Sequence, residues 1–366
     1  MSLSVAIVGL PNVGKSTLFN ALLKRQQALA ANYPFATIEP NVGIVEVPDE
    51  RLIKLAQVVE KEESLVAGKV PLKPATIEFV DIAGLVAGAA KGEGLGNQFL
   101  AHIHECDLIC HVLRSFEDPD VVVTGKMDPL EDLETVRTEL ILKDLESVEK
   151  AQKSKLKAQN DSAKVKAILE KVKNFLDQGK MLNTLGFTDQ ELEVINPLCL
   201  LTIKPEIFAI NVSESQVARM KPQDYAAKIG VLSENVIVIC AKVESELSDL
   251  SQEDQKLYLT DLGLTQSGIE RMAQVAYQKL GLISFLTAGV IEARAWTIKA
   301  GTLAQQAAGV IHTDFVKKFI KAKVCSFNEF VTLGGWKKAA EAGKVRQEGR
   351  DYPMHDGDVV EFMIGK

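Results

Sequence analysis

The stretch GLPNVGKST, residues 9–17, matches the phosphate-binding pattern G-x-x-x-x-G-K-[ST]. It follows a short β-rich run at residues 4–8 and opens a helical pattern at residues 15–24. Glycines in such a loop let backbone N–H groups close on phosphate oxygens, and the helix N-terminus adds positive potential. A chance glycine-rich turn is the alternative, and the strand–loop–helix setting favours the phosphate-binding interpretation.

The loop supplies most of the predicted nucleotide ligands. Lys15 would reach the β- and γ-phosphates and is a predicted catalytic residue, while the Ser16 hydroxyl would ligate Mg²⁺. The predicted nucleotide-binding residues of the loop are Asn12, Val13, Gly14, Lys15, Ser16 and Thr17.

A second segment, IEFVDIAGL at residues 77–85, reads as a buried strand that ends in Asp81. An aspartate at a strand end beside a phosphate loop can hold Mg²⁺, usually through water. Gly84 can offer a backbone N–H to the γ-phosphate, and the glycines that follow suggest a segment that orders around that phosphate. An isolated D-x-x-G would be a surface turn, but its place after the phosphate loop favours the functional interpretation.

A third segment lies between the first helix and the next strand, at residues 32–41, NYPFATIEPN. Thr37 is the only threonine there, and we predict that it completes the Mg²⁺ shell. Without the other two motifs, an ordinary loop residue would be the better interpretation.

Composition excludes several classes of protein. The chain has 366 residues, enough for two or three domains, with 46% hydrophobic and 25% charged residues and a net charge of −7. This charge argues against a wholly basic nucleic-acid binder. Five scattered cysteines without a CxxC pair, no signal-peptide pattern and no apolar stretch of about 18 residues predict a cytoplasmic protein that does not enter a membrane.

The order of apolar runs predicts an α/β domain with a mainly parallel sheet. Strand-like runs cover residues 4–8, 42–47, 75–80, 107–113, 206–210 and 236–240. Two helical apolar stripes, at residues 133–148 and 165–176, flank the polar break at 160–162 and predict an inserted antiparallel helical hairpin. From about residue 280, short β-rich runs predict a separate α+β domain.

The phosphate loop, the D-x-x-G segment, the inserted hairpin and the C-terminal stretches AAGVIHTDF and DGDVVEF together resemble the YchF subfamily of Obg-like ATPases. The resemblance covers nearly the whole chain. It implies a P-loop G-domain of the translation-factor class at residues 1–280, with the hairpin insert at 128–200, and a TGS domain of β-grasp fold at 281–366. It also implies ATP hydrolysis and association with the ribosome or its large subunit. Asn12 resembles the asparagine of potassium-assisted members of this class, so the use of potassium stays open. The alternative interpretation is that Asn12 is a loop residue that bonds its own backbone.

The segment FAINVSES, residues 208–215, stands where GTPases of this class carry N-K-x-D. In those proteins the aspartate reads guanine and the lysine stem packs on the base, whereas here Val212 and Glu214 take their places. Adenine has an acceptor at N1, which a carboxylate would repel, so we predict that Asn211 bonds adenine and Val212 contacts it. Glu214 is a predicted ligand whose alternative is a helix-start carboxylate, and dual use of ATP and GTP stays open.

The next strand ends in Cys240-Ala241-Lys242, where GTPases place Ser-Ala-Lys beside the base. The matching position predicts that Ala241 and Lys242 contact the base, while Cys240 is better interpreted as a small buried residue. Phe116 could cover the base or belong to the core.

The catalytic group is less defined by sequence. Leu85 follows D-x-x-G, where small GTPases place a glutamine, so we expect slow intrinsic turnover or help from another group. His111 is a predicted catalytic residue, because the resembling family carries a histidine at this strand and imidazole titrates near neutral pH. A hydrogen-bonded core histidine is the alternative. His102 and His104, two residues apart on a helix, point apart and do not suggest a metal site.

Lysines and arginines crowd the hairpin and the C-terminal domain, as at Lys150, Lys173, Lys317 and Lys318. Such basic faces on an acidic chain would suit rRNA or tRNA phosphates, although ordinary solvated helix faces are an equal alternative for the hairpin. We therefore expect a cytoplasmic, ribosome-associated ATP hydrolase that acts as a nucleotide switch. The alternatives are a GTPase of the same fold and a binding module for which ATP occupancy is only a signal.

Overall fold

The computed structural model describes residues 3–30, 41–82, 100, 102–116, 128–155 and 163–365. The predicted ligands Thr37 and Gly84, and the position of Leu85, lie outside these residues. The chain divides into two compact units. Unit 1 comprises Met1–Val45 and Glu78–Ala276, and unit 2 comprises Glu46–Ile77 and Tyr277–Lys366.

The described residues include twelve strands. They are β1 (Ser4–Val8), β2 (Val42–Glu46), β3 (Leu72–Lys73), β4 (Thr76–Asp81), β5 (Leu108–Arg114), β6 (Glu206–Asn211), β7 (Val236–Ile239), β8 (Leu282–Ala288), β9 (Ala293–Lys299), β10 (Phe319–Ser326), β11 (Arg346–Glu348) and β12 (Asp358–Ile364).

The principal helices of the described residues surround these strands. They are α1 (Lys15–Ala30), α2 (Arg51–Glu62), α3 (Pro129–Lys155), α4 (Ala163–Asp177), α5 (Asp189–Ile195), α6 (Glu214–Val217), α7 (Pro222–Ile229), α8 (Ala241–Leu247), α9 (Gln252–Asp261), α10 (Gly268–Lys279), α11 (Ala304–Ile311), α12 (Thr313–Lys318), α13 (Phe327–Leu333) and α14 (Trp336–Glu341). In this part of the chain no helix has both the length and the apolar character needed to cross a membrane.

The sheet of unit 1 has the strand order β2-β4-β1-β5-β6-β7. β1 pairs in parallel with β4 and β5, and the ladder continues in parallel through β6 to β7. Every residue of β5 and β6 is buried, as expected for strands covered on both faces. The predicted α/β fold with a mainly parallel sheet is confirmed. Its carboxyl edge brings Asp81 and Asn211 to the same side as the loop after β1.

The inserted hairpin is also confirmed, with α3 and α4 as its helices. Their apolar side chains, including Leu140, Val148 and Val172, share one core with Ile109 of β5. Buried Asp144 of α3 accepts hydrogen bonds from the Leu201 N–H (2.9 Å) and the Thr202 N–H (2.8 Å). Burial raises the pKa of this carboxyl while these bonds oppose the rise. The hairpin is thus fastened to the chain that leads into β6.

Unit 2 is built on a second sheet with the order β11-β10-β12-β8-β9-β3. β10 pairs antiparallel with β11 and β12, β8 pairs antiparallel with β9, and β12 runs parallel to β8. Phe285, Phe319 and Val360 pack with the alanines of α11 in its core. The predicted separate C-terminal α+β domain is therefore present.

The predicted boundary, with all of residues 1–280 in one domain, is wrong for residues 46–77. α2 packs against β8 and β9, and β3 pairs in parallel with β9 in the register Leu72↔Ala293. The apolar stripe Leu52, Leu55, Ala56 and Val59 is buried there. A stripe at this spacing shows that a helix needs an apolar surface, but not which sheet supplies it.

Polar contacts fix α2 within unit 2 as well. The Arg51 guanidinium donates to the Asp356 carboxylate at 2.7 Å. The Glu62 carboxylate accepts the Lys337 N–H at 2.9 Å and the Trp336 N–H at 3.3 Å, so α2 caps the start of α14. The segment before α14 passes so close that a Cβ added to Gly335 would lie 2.2 Å from Glu62 Oε2.

Candidate nucleotide-binding site

The phosphate loop runs from the end of β1 to the start of α1, as predicted, and two glycines let it pack against neighbouring strands. A Cβ on Gly9 would lie 2.5 Å from the Val112 carbonyl oxygen of β5. A Cβ on Gly14, whose φ is +97°, would lie 2.2 Å from Asn211 Nδ2 of β6. Any larger side chain would push the loop off the sheet edge, so the glycines of the motif are required for packing as well as for phosphate approach.

Lys15 lies over the loop with its ammonium group directed back at it. Nζ donates to the carbonyl oxygens of Gly9 (2.8 Å) and Leu10 (2.6 Å). Burial lowers the pKa of Lys15 to about 8, although the nearby Asp81 carboxylate opposes this shift. The next two residues, Ser16 and Thr17, are exposed in the first turn of α1. A cation and two hydroxyls thus surround the positive end of a helix, a suitable setting for a polyphosphate.

The affinity for a nucleoside triphosphate is expected to fall as the pH rises above about 8. The free protein loses the Lys15 proton near this pH, whereas phosphates would raise the pKa in the complex, so binding above it requires proton uptake. The affinity should then drop by about tenfold per pH unit between the two pKa values. Titration calorimetry in two buffers of different ionisation enthalpy measures both the affinity and the uptake.

The matched variant for this test is Lys15→Arg, because a guanidinium stays charged throughout the range. The affinity of this variant for a nucleoside triphosphate, even if lower at pH 7, should not fall as the pH rises above about 8. An equal decline in the variant would assign the titration to another group.

The residues present fit a magnesium ion. Ser16 offers a hydroxyl and Asp81, at the end of β4, a half-buried carboxylate, and Mg²⁺ prefers such oxygen ligands. Burial raises the pKa of Asp81, and the charge of Lys15 lowers it. Among the described residues no three His, Cys, Asp or Glu side chains form a metal cluster. Of the described residues, Ser16 and Asp81 would hold a magnesium ion here, together with phosphate oxygens. Thr37 as a third ligand stays a prediction.

A cleft of about 920 Å³ lies beside the loop at the carboxyl edge of the sheet. It brings together Gly14, Thr17, Phe116, Asn211, Val212, Ser213, Glu214, Ser215, Cys240, Ala241, Lys242, Ser245, Glu246 and Leu262. Residues of the three predicted base-side segments therefore meet in one cleft of a size suited to a base and ribose.

Asn211 makes two hydrogen bonds within the protein that its sequence position did not predict. Its Nδ2 donates to the Val13 carbonyl oxygen at 2.9 Å, and its Oδ1 accepts the Ala241 N–H at 2.9 Å. The buried amide thus ties the phosphate loop, 198 residues away, to the start of α8. One N–H and one lone pair remain for a base. Direct reading of adenine by Asn211 stays a prediction, but its observed role is that of a clamp.

Val212 and Glu214 occupy opposite environments in the cleft. Val212 is buried, and its N–H donates to the Ile239 carbonyl at 2.9 Å. Glu214 is exposed at the first position of α6, directly after the N-cap Ser213. The geometry therefore matches the alternative of a helix-start carboxylate, while the same side chain also lines the cleft.

Three lining residues, Ser245, Glu246 and Leu262, lie outside the predicted base-side segments. The Glu246 carboxylate accepts the Tyr258 hydroxyl at 2.5 Å, which holds α9 against the end of α8. Ser245 follows Ala241, and Glu246 follows Lys242, by four residues, so extending the predicted base segment by one helical turn would have indicated both. Leu262 carries no such signal.

His111 lies on the face of β5 that packs against the hairpin. Its Nε2 is 2.8 Å from Glu206 Oε1, and its ring stacks on Phe208 at 5.4 Å. Arg137 of α3 donates to the same carboxylate at 2.9 Å. Burial would raise the pKa of Glu206, but hydrogen bonds from His111 and Arg137 hold it well below its usual range. This geometry matches the core alternative, and catalysis by His111 stays a prediction.

The chain is similar to known proteins along its whole length. Residues 4–153 match the family MMR_HSR1, described as 50S ribosome-binding GTPase, and residues 282–365 match YchF-GTPase_C, described as a protein of unknown function (DUF933). The ribosome-binding ATPase YchF of Bacillus subtilis (strain 168) is 47% identical over 371 residues, which is 99% of each chain. That of Escherichia coli O157:H7 is 45% identical over 370 residues, covering 100% of this chain and 99% of the relative. The solved Schizosaccharomyces pombe YchF GTPase matches with a TM-score of 0.85 at 35% identity, over 99% of this chain and 98% of that one.

The loop after β1 and the parallel sheet around it define a P-loop nucleotide-binding protein with the GTPase fold. Identity at this level over the full length is far more specific than a shared fold. The chain belongs to the YchF family, which confirms the resemblance read from its motifs.

Proposed function

We propose that this protein is a Mg²⁺-dependent ATP hydrolase that binds the ribosome in the cytoplasm. The observation that carries the choice of nucleotide is the base side of the cleft. Buried Val212 stands where a guanine-binding protein has a lysine, and Glu214 lies exposed at a helix start. Neither residue reproduces the pair that recognises guanine, and the full-length relatives are named ribosome-binding ATPases.

The chemistry of the two bases supports adenine. A carboxylate reader would accept from the N1–H and 2-amino groups of guanine, which adenine lacks. Val212 offers an apolar contact instead, which suits adenine and gives the N1–H and 2-amino groups of guanine no partner. A buried polar group left unpaired by the wrong base can change selectivity by about 10⁴-fold.

The chain's own residues account for phosphate binding and charge stabilisation. The first turn of α1 directs N–H groups at the phosphates, and Lys15 leaves its loop carbonyls to neutralise the γ-phosphate. Magnesium, when bound, would neutralise phosphate charge during transfer. Because Leu85 follows D-x-x-G, where a glutamine would orient water, we expect slow turnover that a partner accelerates.

Ribosome binding would use exposed basic side chains, with rRNA or tRNA phosphates as the contacts. On the hairpin, Lys173 is paired with Glu149 and Lys171 with Glu191, both at 2.8 Å, which reduces their attraction for phosphate. In unit 2, Lys317 and Lys318 lie exposed at the end of α12. Unit 2 is therefore the stronger candidate for a phosphate contact.

Direct calorimetry of ATP against GTP, with Mg²⁺ and at pH 7, tests the nucleotide assignment. We expect ATP to bind more tightly by at least about tenfold, or about 1.4 kcal/mol. Tighter binding of GTP would overturn the assignment and favour a GTPase of the same fold.

Leu85 also favours a second candidate, a ribosome-binding module for which ATP occupancy is the signal and hydrolysis is incidental. Steady-state turnover with and without ribosomes separates the two. Stimulation by ribosomes supports a hydrolytic switch, whereas unchanged turnover together with ATP-dependent ribosome binding supports the occupancy signal.

A further inference from the structure

The indole ring of Trp296, on β9, carries the guanidinium of Arg294 over its face. The guanidinium carbon is 3.9 Å from the centre of the ring, the distance of atoms in van der Waals contact. Among aromatic side chains, tryptophan attracts a cation over its face most strongly. The Arg294 side chain is therefore held against the sheet of unit 2.

The strand register explains why these side chains meet. Arg294 and Trp296 are two residues apart on β9, so they project from the same face of the sheet. Thr287 and Phe285 of β8 lie directly opposite them and project from that face as well. The Trp296 Nε1–H donates to Thr287 Oγ1 at 3.0 Å, and the Phe285 ring lies nearly parallel to the indole, with 6.3 Å between the ring centres. The indole is thus fixed, and it fixes the surface against which Arg294 lies.

Most of the hydrogen-bonding capacity of Arg294 is unused. A guanidinium has five N–H donors. Within the described residues, the hydrogen bond that Arg294 makes joins Nη1 to Glu292 Oε1 at 3.4 Å, which is long for such a bond. The Arg294 side chain is also 38% exposed. It therefore offers an open side and several free N–H groups to a ligand.

Neighbouring strands add a second cation and another ring. β3 pairs in parallel with β9 in the register Lys73↔Arg294, so these two side chains project from the same face. The Phe362 ring of β12 meets the Phe285 ring edge-on at 5.6 Å, and both Phe362 and Trp296 are partly exposed. Proteins bind unpaired bases and their phosphates with cations and accessible rings of this kind.

We propose that Arg294 and Trp296 bind an unpaired base of single-stranded RNA. The base would stack on the open side of the Arg294 guanidinium, and an adjoining phosphate would accept hydrogen bonds from the edge of the same group. This inference rests on the proposed ribosome contact and gives the chemistry of one part of it. Because stacking uses the face of a base, the site would accept any of the four bases.

Other occupants use these groups less completely. An aromatic side chain of a polypeptide could stack on Arg294, but it brings no negative charge to Arg294 and Lys73. Double-stranded RNA keeps its bases stacked on one another, so it offers the guanidinium no free base. A single strand supplies both the free base and the phosphate.

The test measures binding of the full chain to fluorescein-labelled heptacytidylate and to an abasic oligomer of the same length and charge. Cytosine is used because a purine could also enter the nucleotide cleft. Fluorescence anisotropy should show at least about fivefold tighter binding of heptacytidylate, the lower limit for one stacked base. The variant Arg294→Lys keeps the charge but loses the planar group, so it should bind both oligomers about equally.

Arg350→Lys is the matched control, because Arg350 is an exposed arginine of the same unit that lies outside β9. This variant should keep the preference for heptacytidylate. Tryptophan emission provides a second measurement, since the chain has two tryptophans and Trp336→Phe leaves Trp296 as the only one. The emission of Trp296 should change when heptacytidylate binds and stay the same with the abasic oligomer.

Equal binding of the two oligomers by the unmodified chain, or an unchanged preference in Arg294→Lys, would overturn the proposal. So would Arg294-dependent binding of a phenylalanine-rich peptide without any preference between the oligomers. Sedimentation with ribosomes tests the proposed function separately. A chain that prefers heptacytidylate but does not sediment with ribosomes would refute the ribosome contact and support the base site, whereas sedimentation without the preference would do the reverse.

Discussion

Replacing Asn211 by alanine is expected to weaken the binding of ATP and GTP alike, by about 10²-fold or more. The substitution removes both bonds that hold the phosphate loop and α8 to the end of β6, and it leaves the buried Val13 carbonyl and Ala241 N–H unpaired. Each unpaired buried group costs about 1–3 kcal/mol. The phosphate loop and the start of α8 would become less ordered, which lowers the affinity for both nucleotides. Titration calorimetry with ATP and with GTP measures the two losses of affinity.

The two roles considered for Asn211 predict different effects of the substitution on the binding of ATP and GTP. A clamp affects both nucleotides by similar factors, whereas a direct base reader affects ATP much more than GTP. Asn183→Ala is a control outside the cleft, since that exposed amide also donates two hydrogen bonds, to the Lys204 carbonyl at 3.0 Å and to the Glu206 carboxylate at 3.1 Å. A selective loss of ATP binding in Asn211→Ala, with GTP unchanged, would contradict the clamp.

A fragment comprising residues 281–366 is expected not to fold on its own, despite containing every C-terminal motif. It lacks α2 and β3, which cover β8 and β9. Burying Leu52, Leu55 and Val59 alone contributes about 4.5–9 kcal/mol, at about 1.5–3 kcal/mol each. That is comparable with the whole stability of a domain, about 5–15 kcal/mol. Thermal unfolding followed by circular dichroism should show no cooperative transition for this fragment.

The matched control joins residues 46–77 through a flexible linker to residues 277–366, which restores unit 2 as the structure defines it. This fragment should unfold cooperatively, and Leu55→Asp within it should abolish the transition. Cooperative folding of residues 281–366 alone, with the same midpoint as the joined fragment, would show that α2 and β3 are dispensable.

Local patterns predicted much of the fold and of the phosphate site. The loop at residues 9–17 and the strand end at Asp81 were predicted correctly in type and place, because continuous apolar strands and glycine spacing are written in adjacent residues. The hairpin was predictable for the same reason, since each helix carries its own apolar stripe.

The role of Asn211 and the placement of α2 could not be predicted in this way. An asparagine shows what it can donate and accept, but its partners, Val13 and Ala241, are distant in sequence. The stripe of α2 similarly fits any apolar sheet, and only the three-dimensional arrangement decides between the sheet of unit 1 and that of unit 2. Interactions that depend on a choice among distant partners leave no local signal.

The excursion of residues 46–77 into unit 2 has a consequence for synthesis on the ribosome. The strands that α2 covers begin at Leu282, roughly 200 residues later. At about 5–20 residues per second, the apolar stripe of α2 would wait roughly 10–40 s for its partners. The nascent chain would therefore be a substrate for chaperones over this interval. Residues 46–77, made early, would reach their native packing only once β8 and β9 had been made.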